Sequence, residues 1–491
     1  MKKIWKSIAA VTLAVVATMG LAACGGEKEI INAYDIAVKN GFQGTEAQWL
    51  ASLQGANGAD GDDLNIKEVY ETAKAKGYTG TFLEFLKECL TADVAENNDV
   101  DTIAKNVTSV VSVNCAFIAT KTYRVNSMFG GYREETLVEA SGSAGSGVII
   151  DLDKENGNAL VVTNYHVLYS SDSDAENGIS ECIYLYPYGA RNYFTSGAEY
   201  NTSMNKYILA DVNGDGKADK NDQGDFDGDG IKATFIGGAM DYDIALLQIS
   251  GSEYLKECAA SEATLGDSNT VTVGEKVYAI GNSNGQGISV TAGVVSVESE
   301  TISMSSLKNS SQAVSYRVLR TDAAINHGNS GGALFNAQGE LIGITNAKNV
   351  EDETDNMGYA LPITQVKHLI DNMQDNGGVV QRAMLGITTA KTASVASFDK
   401  NGKLVITEEN TVASVDSGVA ASGKLEVGDV IKSFTKDGVT TQITRNFYLN
   451  DLLLTVRKGD TITLKVFREL DGKEHDVTIT FDKDSYFTLY E

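Results

Sequence analysis

The sequence predicts a mainly β protein, and two features of its residue pattern indicate this class. From Val107 to about Leu361, short runs rich in β-branched residues are separated by Gly, Asn, Asp and Ser. Residues 381–485 form a second, smaller set of such runs, with one expected helix near Leu449 to Val456. Short β-branched runs bounded by turn residues are typical of β-barrels and sandwiches. At 491 residues the chain is long enough for two or three folded units.

The N-terminal residues have the layout of a secretory signal peptide. Three lysines fall among the first six residues, an almost purely apolar run extends from Ile8 to Met19, and small residues precede Cys24. This run is shorter than the roughly 20 residues that a membrane-spanning helix needs. We therefore expect residues 1–23 to be removed after export and exclude them from the fold.

The last residues of this segment, Leu21-Ala22-Ala23-Cys24, resemble the lipobox of bacterial lipoproteins. The resemblance implies that Cys24 becomes a lipidated N terminus. The lipid would anchor the protein to a bacterial cell membrane on its extracytoplasmic side. An ordinary signal peptide, cut nearby without lipidation, is the alternative.

Charge and cysteine content limit the partners of the chain. The formal net charge of −26 argues against nucleic acid as a partner, because phosphate binding requires a basic face. Export permits disulfides, but the four cysteines that remain besides Cys24 allow three pairings, and the sequence does not choose between them. These four residues are Cys89, Cys115, Cys182 and Cys258.

Residues 30–92 contain an internal repeat, in which the segment 34–53 matches the segment 70–89 at a constant spacing. In each copy a helical run stops at a glycine. A second helix then starts at a threonine that is followed three residues later by Gln or Glu, which is a capping box. We expect two helical hairpins joined by a Gly-rich spacer. Similar units occur in bacterial surface proteins, so a spacer or cell-wall-facing module is the preferred interpretation.

The strongest chemical signal is the segment TDAAINHGNSGGAL around Ser330. A serine hydroxyl is a poor nucleophile at neutral pH, so amide hydrolysis requires a base, a carboxylate that orients the base, and donors for the oxyanion. Glycines on both sides of Ser330 allow a tight turn that points backbone N–H groups at an oxyanion. Gly328 and Ser330 are the predicted donors.

The base and the carboxylate are predicted upstream. His166 follows an apolar strand in LVVTNYHVL, and Asp243 precedes another in MDYDIALLQI. The order His, Asp, Ser is that of the chymotrypsin class and differs from that of subtilisin or the α/β hydrolases. The remaining histidines are less well placed to act as the base, because His368 and His475 fall in other elements and His327 is only three residues from Ser330.

Three segments of the chain resemble the triad blocks of the HtrA (DegP-like) serine proteases, namely TNYHVL, DIALL and TDAAINHGNSGGALFNAQGELIGI. The resemblance extends over residues 99–485. It implies a chymotrypsin-like double β-barrel at 99–362, a connecting helix at 363–380 and a PDZ domain at 381–485. It also implies that the nucleophile Ser330, the base His166 and its orienter Asp243 cleave unfolded or damaged exported proteins. Proteases of this family often form homotrimers, but the oligomeric state of this chain is left open.

The chain departs from the family pattern near the serine. His327 stands where the family usually has proline, which removes no oxyanion donor. Asn329 replaces the aspartate used in the zymogen switch of digestive proteases, so that switch is not expected. Ala324 stands at the position where trypsin-like enzymes that select basic side chains have aspartate. We therefore expect a small or medium apolar preference in the specificity pocket.

Two further segments resemble a PDZ domain of the HtrA type, namely RAMLGI and SVDSGVAASGKLEVGDVIKSF. The resemblance implies that the loop Met384, Leu385, Gly386 and Ile387 captures the C-terminal carboxylate of a peptide. Binding of this kind adds a strand to a sheet edge.

An insertion at about 186–232 carries the segment DVNGDGKADKND, which the family does not usually have. Its oxygen-bearing residues and the sharp turn at Gly216 fit a calcium-binding loop and resemble those of dockerins. A solvated acidic loop is the alternative. We expect a structural calcium ion that braces the insertion, and no cofactor for catalysis. The predicted ligands are Asp211, Asn213, Asp215, Lys217 through its carbonyl, Asp219 and Asp222.

Two other functions remain as alternatives to the protease. One is a catalytically silent chaperone-like or peptide-binding scaffold at the cell surface. The other is a calcium-dependent surface adhesin built on the N-terminal repeats.

Overall fold

The computed structural model describes residues 99–126, 132–192, 198–201, 206–209, 230–309, 311–346, 357–400 and 402–490, together with Tyr70 and Lys74. The chain divides into two compact units, Met1–Ala95 and Glu96–Glu491. Cys24, Cys89 and the predicted calcium loop at 211–222 lie outside the described residues, as do the repeats apart from Tyr70 and Lys74. Within the described ranges, no helix combines the length and the apolar character needed to cross a membrane.

Strands dominate the described part of the second unit, which confirms the predicted mainly β class. Short 3-10 turns lie at Val107–Ser109, Met240–Tyr242, Ser283–Gly285 and Asp484–Tyr486. The α-helices, numbered from Asp99, are α1 (Asp99–Asn106), α2 (Tyr165–Leu168), α3 (Glu253–Glu257), α4 (Ile363–Asp375) and α5 (Asn446–Leu453).

The first sheet contains seven antiparallel strands in the order β7-β4-β1-β2-β3-β9-β8, while β5 and β6 pair separately. Alternate residues of β1, such as Val111, Val113 and Cys115, face an apolar core, as expected for a strand with a side-chain period of two. The strands are β1 (Val110–Asn126), β2 (Tyr132–Asp153), β3 (Asn158–Thr163), β4 (Cys182–Pro187), β5 (Ala198–Asn201), β6 (Lys206–Leu209), β7 (Ile231–Lys232), β8 (Thr234–Ala239) and β9 (Ile244–Ile249).

The second sheet is a closed barrel in the order β10-β11-β12-β15-β14-β13. Val148 and Leu246 of the first sheet share one apolar cluster with Ile280 and Phe335 of the barrel, so the two sheets pack against each other. No pairing among the described strands closes the first of the two predicted barrels, whereas pairing closes the second. Its strands are β10 (Lys276–Gly281), β11 (Ser289–Ser305), β12 (Ala313–Thr321), β13 (Ala333–Asn336), β14 (Leu341–Asn346) and β15 (Gly358–Pro362).

Helix α4 leads from the barrel to a C-terminal sheet in the order β17-β18-β19-β21-β22, with β20 on β19 and a separate β16–β23 pair. Helix α5 starts at Asn446, slightly before the predicted position. The Glu408 carboxylate accepts a hydrogen bond from the Asn446 N–H at 2.9 Å and thus satisfies one of the open donors of the first turn. The strands are β16 (Val380–Ala383), β17 (Ile387–Phe398), β18 (Leu404–Val415), β19 (Asp429–Lys436), β20 (Val439–Gln442), β21 (Thr461–Arg468), β22 (Lys473–Thr480) and β23 (Phe487–Tyr490).

Buried charges join the C-terminal sheet to the closed barrel. The Arg317 guanidinium of β12 contacts the Asp451 carboxylate of α5, and the two side chains are only 6% and 4% exposed. Gln365 of α4 donates to the same carboxylate at 2.9 Å. The Phe447 ring centroid lies 3.5 Å from the guanidinium carbon of Arg317. This cluster fixes α5 against the barrel.

Cys115 and Cys258 are free thiols, and Cys182 lies on the strand next to Cys115. Cys182 is in register with Ala116, so its side chain and that of Cys115 point to opposite faces of the first sheet. A disulfide between these two neighbours would therefore require a change of strand register.

Candidate active site

His166 and Asp243 form a two-point contact where β3 ends and β9 begins in the first sheet. His166 lies in the short helix α2, directly after β3. Its ring atom Nδ1 is 2.7 Å from Asp243 Oδ2, and its backbone N–H donates to Asp243 Oδ1 at 2.9 Å. The carboxylate therefore holds both the ring and the backbone of the histidine. Asp243 is fully buried, and the His166 side chain is 21% exposed.

Asp243 itself adopts a backbone conformation that few residues other than glycine adopt. Its φ of 52° is left-handed and follows the 3-10 turn Met240–Tyr242. Two amides hold it in place: Asn164 donates to its backbone carbonyl at 2.9 Å and Asn346 donates to its Oδ2 at 2.9 Å. The surroundings thus stabilise a turn that is unfavourable by itself.

The loop around Ser330 is fixed by the first sheet and the barrel. The Ser146 N–H donates to the Ser330 carbonyl at 2.8 Å, and the Ser146 hydroxyl donates to the Gly328 carbonyl at 2.7 Å. The Asn282 N–H donates in turn to the Ser146 hydroxyl at 2.8 Å. Gly328 has a φ of +88°, and a Cβ there would lie 2.2 Å from the Asn282 carbonyl oxygen. Only glycine fits this position.

The peptide group between His327 and Gly328 has the orientation that an oxyanion donor needs. The His327 carbonyl accepts a hydrogen bond from the Asn284 N–H at 2.6 Å. In a trans peptide the C=O and N–H point in opposite directions, so the Gly328 N–H points away from Asn284. Among the described residues, no backbone carbonyl accepts a hydrogen bond from this N–H. The group is therefore available to a ligand.

Close packing brings the serine loop to the strand end that carries His166. A Cβ on Gly331, which follows Ser330, would lie 2.2 Å from the Ser146 carbonyl oxygen and 2.3 Å from Thr163 Oγ1. Thr163 is the last residue of β3. The loop that carries Ser330 thus packs against the end of β3, three residues before His166, where the first sheet meets the barrel.

Ala324 and His327 are both exposed beside this loop. The Ala324 carbonyl accepts a hydrogen bond from the Thr291 hydroxyl at 2.9 Å, which ties the loop to β11. The apolar specificity predicted from Ala324 stays a prediction.

The four residues predicted to capture a peptide carboxylate lie where β16 turns into β17. The Met384 N–H is already bonded to the Tyr486 carbonyl at 2.7 Å, whereas Leu385 is buried and its carbonyl accepts from the Ala421 N–H at 3.1 Å. Gly386 has a φ of +71° and leaves no space for a Cβ. Ile387 opens β17, and no described strand pairs with the outer edge of β17. An open strand edge therefore begins at this loop.

Three polar residues of the site were not predicted from the sequence: Ser146, Asn164 and Asn346. Asn346 is 103 residues from Asp243 along the chain, and no local pattern marks it. Asn164 lies inside the quoted TNYHVL segment, so the resemblance offered a signal for it. Among the described residues, no group of three or more His, Cys, Asp or Glu side chains could hold a metal ion.

These features define the class of the protein. A histidine–carboxylate pair, a nearby serine and a glycine turn with an available N–H are the parts of a serine-type endopeptidase. The family model described as a trypsin-like peptidase domain matches residues 145–344, which contain all three predicted catalytic residues. The chain is thus a serine-type endopeptidase with a trypsin-like fold.

Comparison with whole proteins identifies the family. The chain is 30% identical over 405 residues to the serine protease Do-like HtrA of Lactococcus lactis subsp. lactis strain IL1403, covering 79% of this chain and 84% of that protein. It is 29% identical over 367 residues to the HtrA of Bacillus subtilis strain 168, covering 73% and 68%. Among solved structures, the HtrA-type protease AlgW with a tripeptide matches with a TM-score of 0.44 and 22% identity, covering 80% of this chain and 97% of that one. The chain belongs to the HtrA family of serine proteases.

Proposed function

We propose that this HtrA-type protease is membrane-anchored and cleaves unfolded or damaged exported proteins through an acyl-enzyme on Ser330. The observation that carries the catalytic part is the double contact of Asp243 with His166. One carboxylate oxygen orients the ring at 2.7 Å while the other holds the backbone N–H at 2.9 Å. The imidazole therefore has a fixed orientation, as a general base requires.

The proposed reaction follows from this arrangement. His166 takes the proton of the Ser330 hydroxyl as the oxygen attacks the peptide carbonyl, and the Gly328 and Ser330 N–H groups stabilise the oxyanion. The protonated His166, stabilised by Asp243, then gives the proton to the leaving amine. Water, activated by the same imidazole, releases the acyl group from Ser330.

The proposed location and substrates rest on the sequence and on the family. The signal-like first residues and the lipobox-like segment before Cys24 support attachment to a bacterial cell membrane outside the cytoplasm. The relatives are named as Do-like HtrA proteases. Ala324 stands where trypsin-like enzymes that select basic side chains have aspartate, which supports a preference for small or medium apolar side chains.

We propose that the C-terminal sheet is a PDZ domain that binds peptide C termini. A bound peptide would pair with the open edge of β17, and its carboxylate would lie at the loop Met384 to Ile387. The left-handed Gly386 supports this proposal, since such turns expose consecutive N–H groups to an anion. A fluorescent peptide with a free C terminus should bind, and the same peptide with an amidated C terminus should not. Equal binding of both peptides would contradict the proposal.

We also propose that the loop at 211–222 binds one structural calcium ion. Its donor set consists of oxygen atoms, which calcium prefers. Adding a chelator should lower the thermal midpoint of the full chain, and excess calcium should restore it. No change on chelation would contradict the proposal.

The decisive experiment compares the full chain in detergent with Ser330→Ala. The substrate is a permanently unfolded protein, with calcium present. Cleavage by the wild type and its loss in Ser330→Ala are expected. If both proteins are folded and equally inactive, the alternative is favoured, namely a catalytically silent chaperone-like or peptide-binding scaffold.

A further inference from the structure

Strand β8, which leads into the turn that carries Asp243, contacts the segment that follows α4. The Gly238 N–H of β8 donates to the Gly378 carbonyl at 3.0 Å. A Cβ on Gly237 would lie 2.5 Å from Gly378 Cα, so the two backbones are in direct contact. The Tyr242 and Tyr490 rings pack edge to face with centroids 5.2 Å apart. The strand before the turn and the residue before Asp243 therefore both contact the C-terminal part of the chain.

Arg382 connects these contacts to α5. Its guanidinium lies beside the side chains of Tyr242 and Tyr490 and interacts with both electrostatically. It also donates to the Asn450 side chain of α5 at 2.8 Å. These four residues line one cavity of about 570 Å³ between the barrel and the C-terminal sheet. A single arginine thus joins the turn, the last strand and the helix.

The position of Tyr242 matters because the backbone conformation of the next residue is unfavourable. Asp243 has a φ of 52°, and the direction of its carboxylate depends on the turn Met240–Tyr242. Burial raises the pKa of Tyr242, so its hydroxyl stays neutral beside the Arg382 guanidinium. Displacement of the tyrosine would rotate the turn and move the carboxylate away from His166.

We propose that Tyr242 is a positioning residue, held by Arg382 and Tyr490, that fixes the turn presenting Asp243 to His166. The C-terminal sheet thereby contributes to the alignment of the catalytic pair without touching the substrate. This inference rests on the proposed roles of Asp243 and His166, and it assigns a new role to the residues that hold them.

The test uses the full chain in detergent and a small fluorophosphonate, which phosphonylates the active serine with loss of fluoride and does not require the peptide groove. Tyr242→Phe removes one hydroxyl and keeps the ring against Tyr490. We expect the labelling rate and the kcat on an unfolded protein to fall about two- to tenfold, as for the loss of one polar contact to a cation, with KM and the thermal midpoint unchanged. Arg382→Met should have at least this effect, and Arg382→Lys should restore part of the rate.

Tyr278→Phe is the matched control, because its hydroxyl bonds Asp99 of α1, a residue with no contact to the turn that carries Asp243. This variant should be labelled at the wild-type rate. If Tyr242→Phe is also labelled at the wild-type rate, or if its loss is matched by Tyr278→Phe, the inference is wrong. Labelling of the wild type and its absence in Ser330→Ala separate this outcome from failure of the proposed function.

Discussion

Neutralising Asp451 tests whether the buried ion pair holds the C-terminal sheet against the barrel. Asp451→Asn keeps the size of the side chain and removes its charge. The Arg317 guanidinium, whose side chain is only 6% exposed, is then left without a counter-ion. Removing one partner of a buried pair typically costs about 3–5 kcal/mol, because the remaining charge is out of water and no longer has a counter-ion.

The other contacts of Arg317 place the expected cost near the lower end of this range. Its guanidinium carbon lies 3.5 Å from the Phe447 ring centroid, and Asn269 accepts a hydrogen bond from it at 3.2 Å. Both contacts persist in Asp451→Asn and stabilise the cation in part. We therefore expect a loss of about 3 kcal/mol. For a large folded unit this corresponds to a fall in thermal midpoint of about 6–12 °C.

The assay is thermal unfolding of the full chain, followed by calorimetry. Asp484→Asn is the control, because its pair with Lys458 is 87% and 54% exposed and should contribute little. Replacing both Arg317 and Asp451 by leucine should return the midpoint close to that of the wild type, since no buried charge remains. The reasoning is refuted if Asp451→Asn and Asp484→Asn unfold at the same temperature.

Three further predictions concern the turn at Gly328, the carboxylate of Asp243 and the stability of the fold in acid. Gly328→Ala should lower kcat on the order of 10²–10³-fold, because the new Cβ displaces a proposed oxyanion donor. The control Gly274→Ala, also at a φ of +88° but in open space, should keep full activity. Equal activity of the two variants would contradict the prediction. Asn346→Ala removes a hydrogen bond to a charged carboxylate and should lower kcat about tenfold or more with KM unchanged, so an unaltered kcat would exclude this role. Burial raises the pKa of Asp429, but hydrogen bonds from Arg468 and the Glu426 N–H outweigh it, and the pKa lies below its usual value. The Asp429 carboxylate therefore stabilises the fold fully above about pH 4, the pKa of the unfolded chain, and this stabilisation is lost as the pH falls through the lower pKa of the folded state. In acid titrations followed by circular dichroism, Asp429→Asn should reduce the dependence of stability on pH. An identical pH profile of the variant and the wild type would contradict the prediction.

The sequence predicts the parts of the site that lie in local segments. Ser330 stands among glycines whose positive φ values the turn requires, so the residue types report the backbone directly. His166 and Asp243 each flank a short apolar strand, and their order along the chain indicates the class of enzyme. The β class follows in the same way from runs of β-branched residues between turn residues.

The supporting residues could not be predicted because strand pairing brings them together. Asn346 reaches Asp243 only when β14 takes its place in the barrel, and Ser146 reaches the Ser330 loop only through the pairing of β2. Tyr242 stands beside a predicted catalytic residue, yet its partners lie far along the chain, beyond α4. No periodicity of the sequence encodes such contacts, since each depends on the register of several strands at once.

The loop that carries Ser330, the proposed nucleophile, is held by both sheets. Ser146 of the first sheet holds the carbonyls of Gly328 and Ser330, while the Thr345 hydroxyl of the barrel donates to the Asn329 carbonyl at 2.6 Å. From the barrel side, the Asn284 N–H donates to the His327 carbonyl at 2.6 Å and so orients the peptide between His327 and Gly328. Each carbonyl is thus directed away from the site before a substrate arrives, so little reorganisation is needed as the oxyanion forms. A shift of one sheet relative to the other would turn these peptides and remove the proposed donors, even with the three proposed catalytic side chains intact.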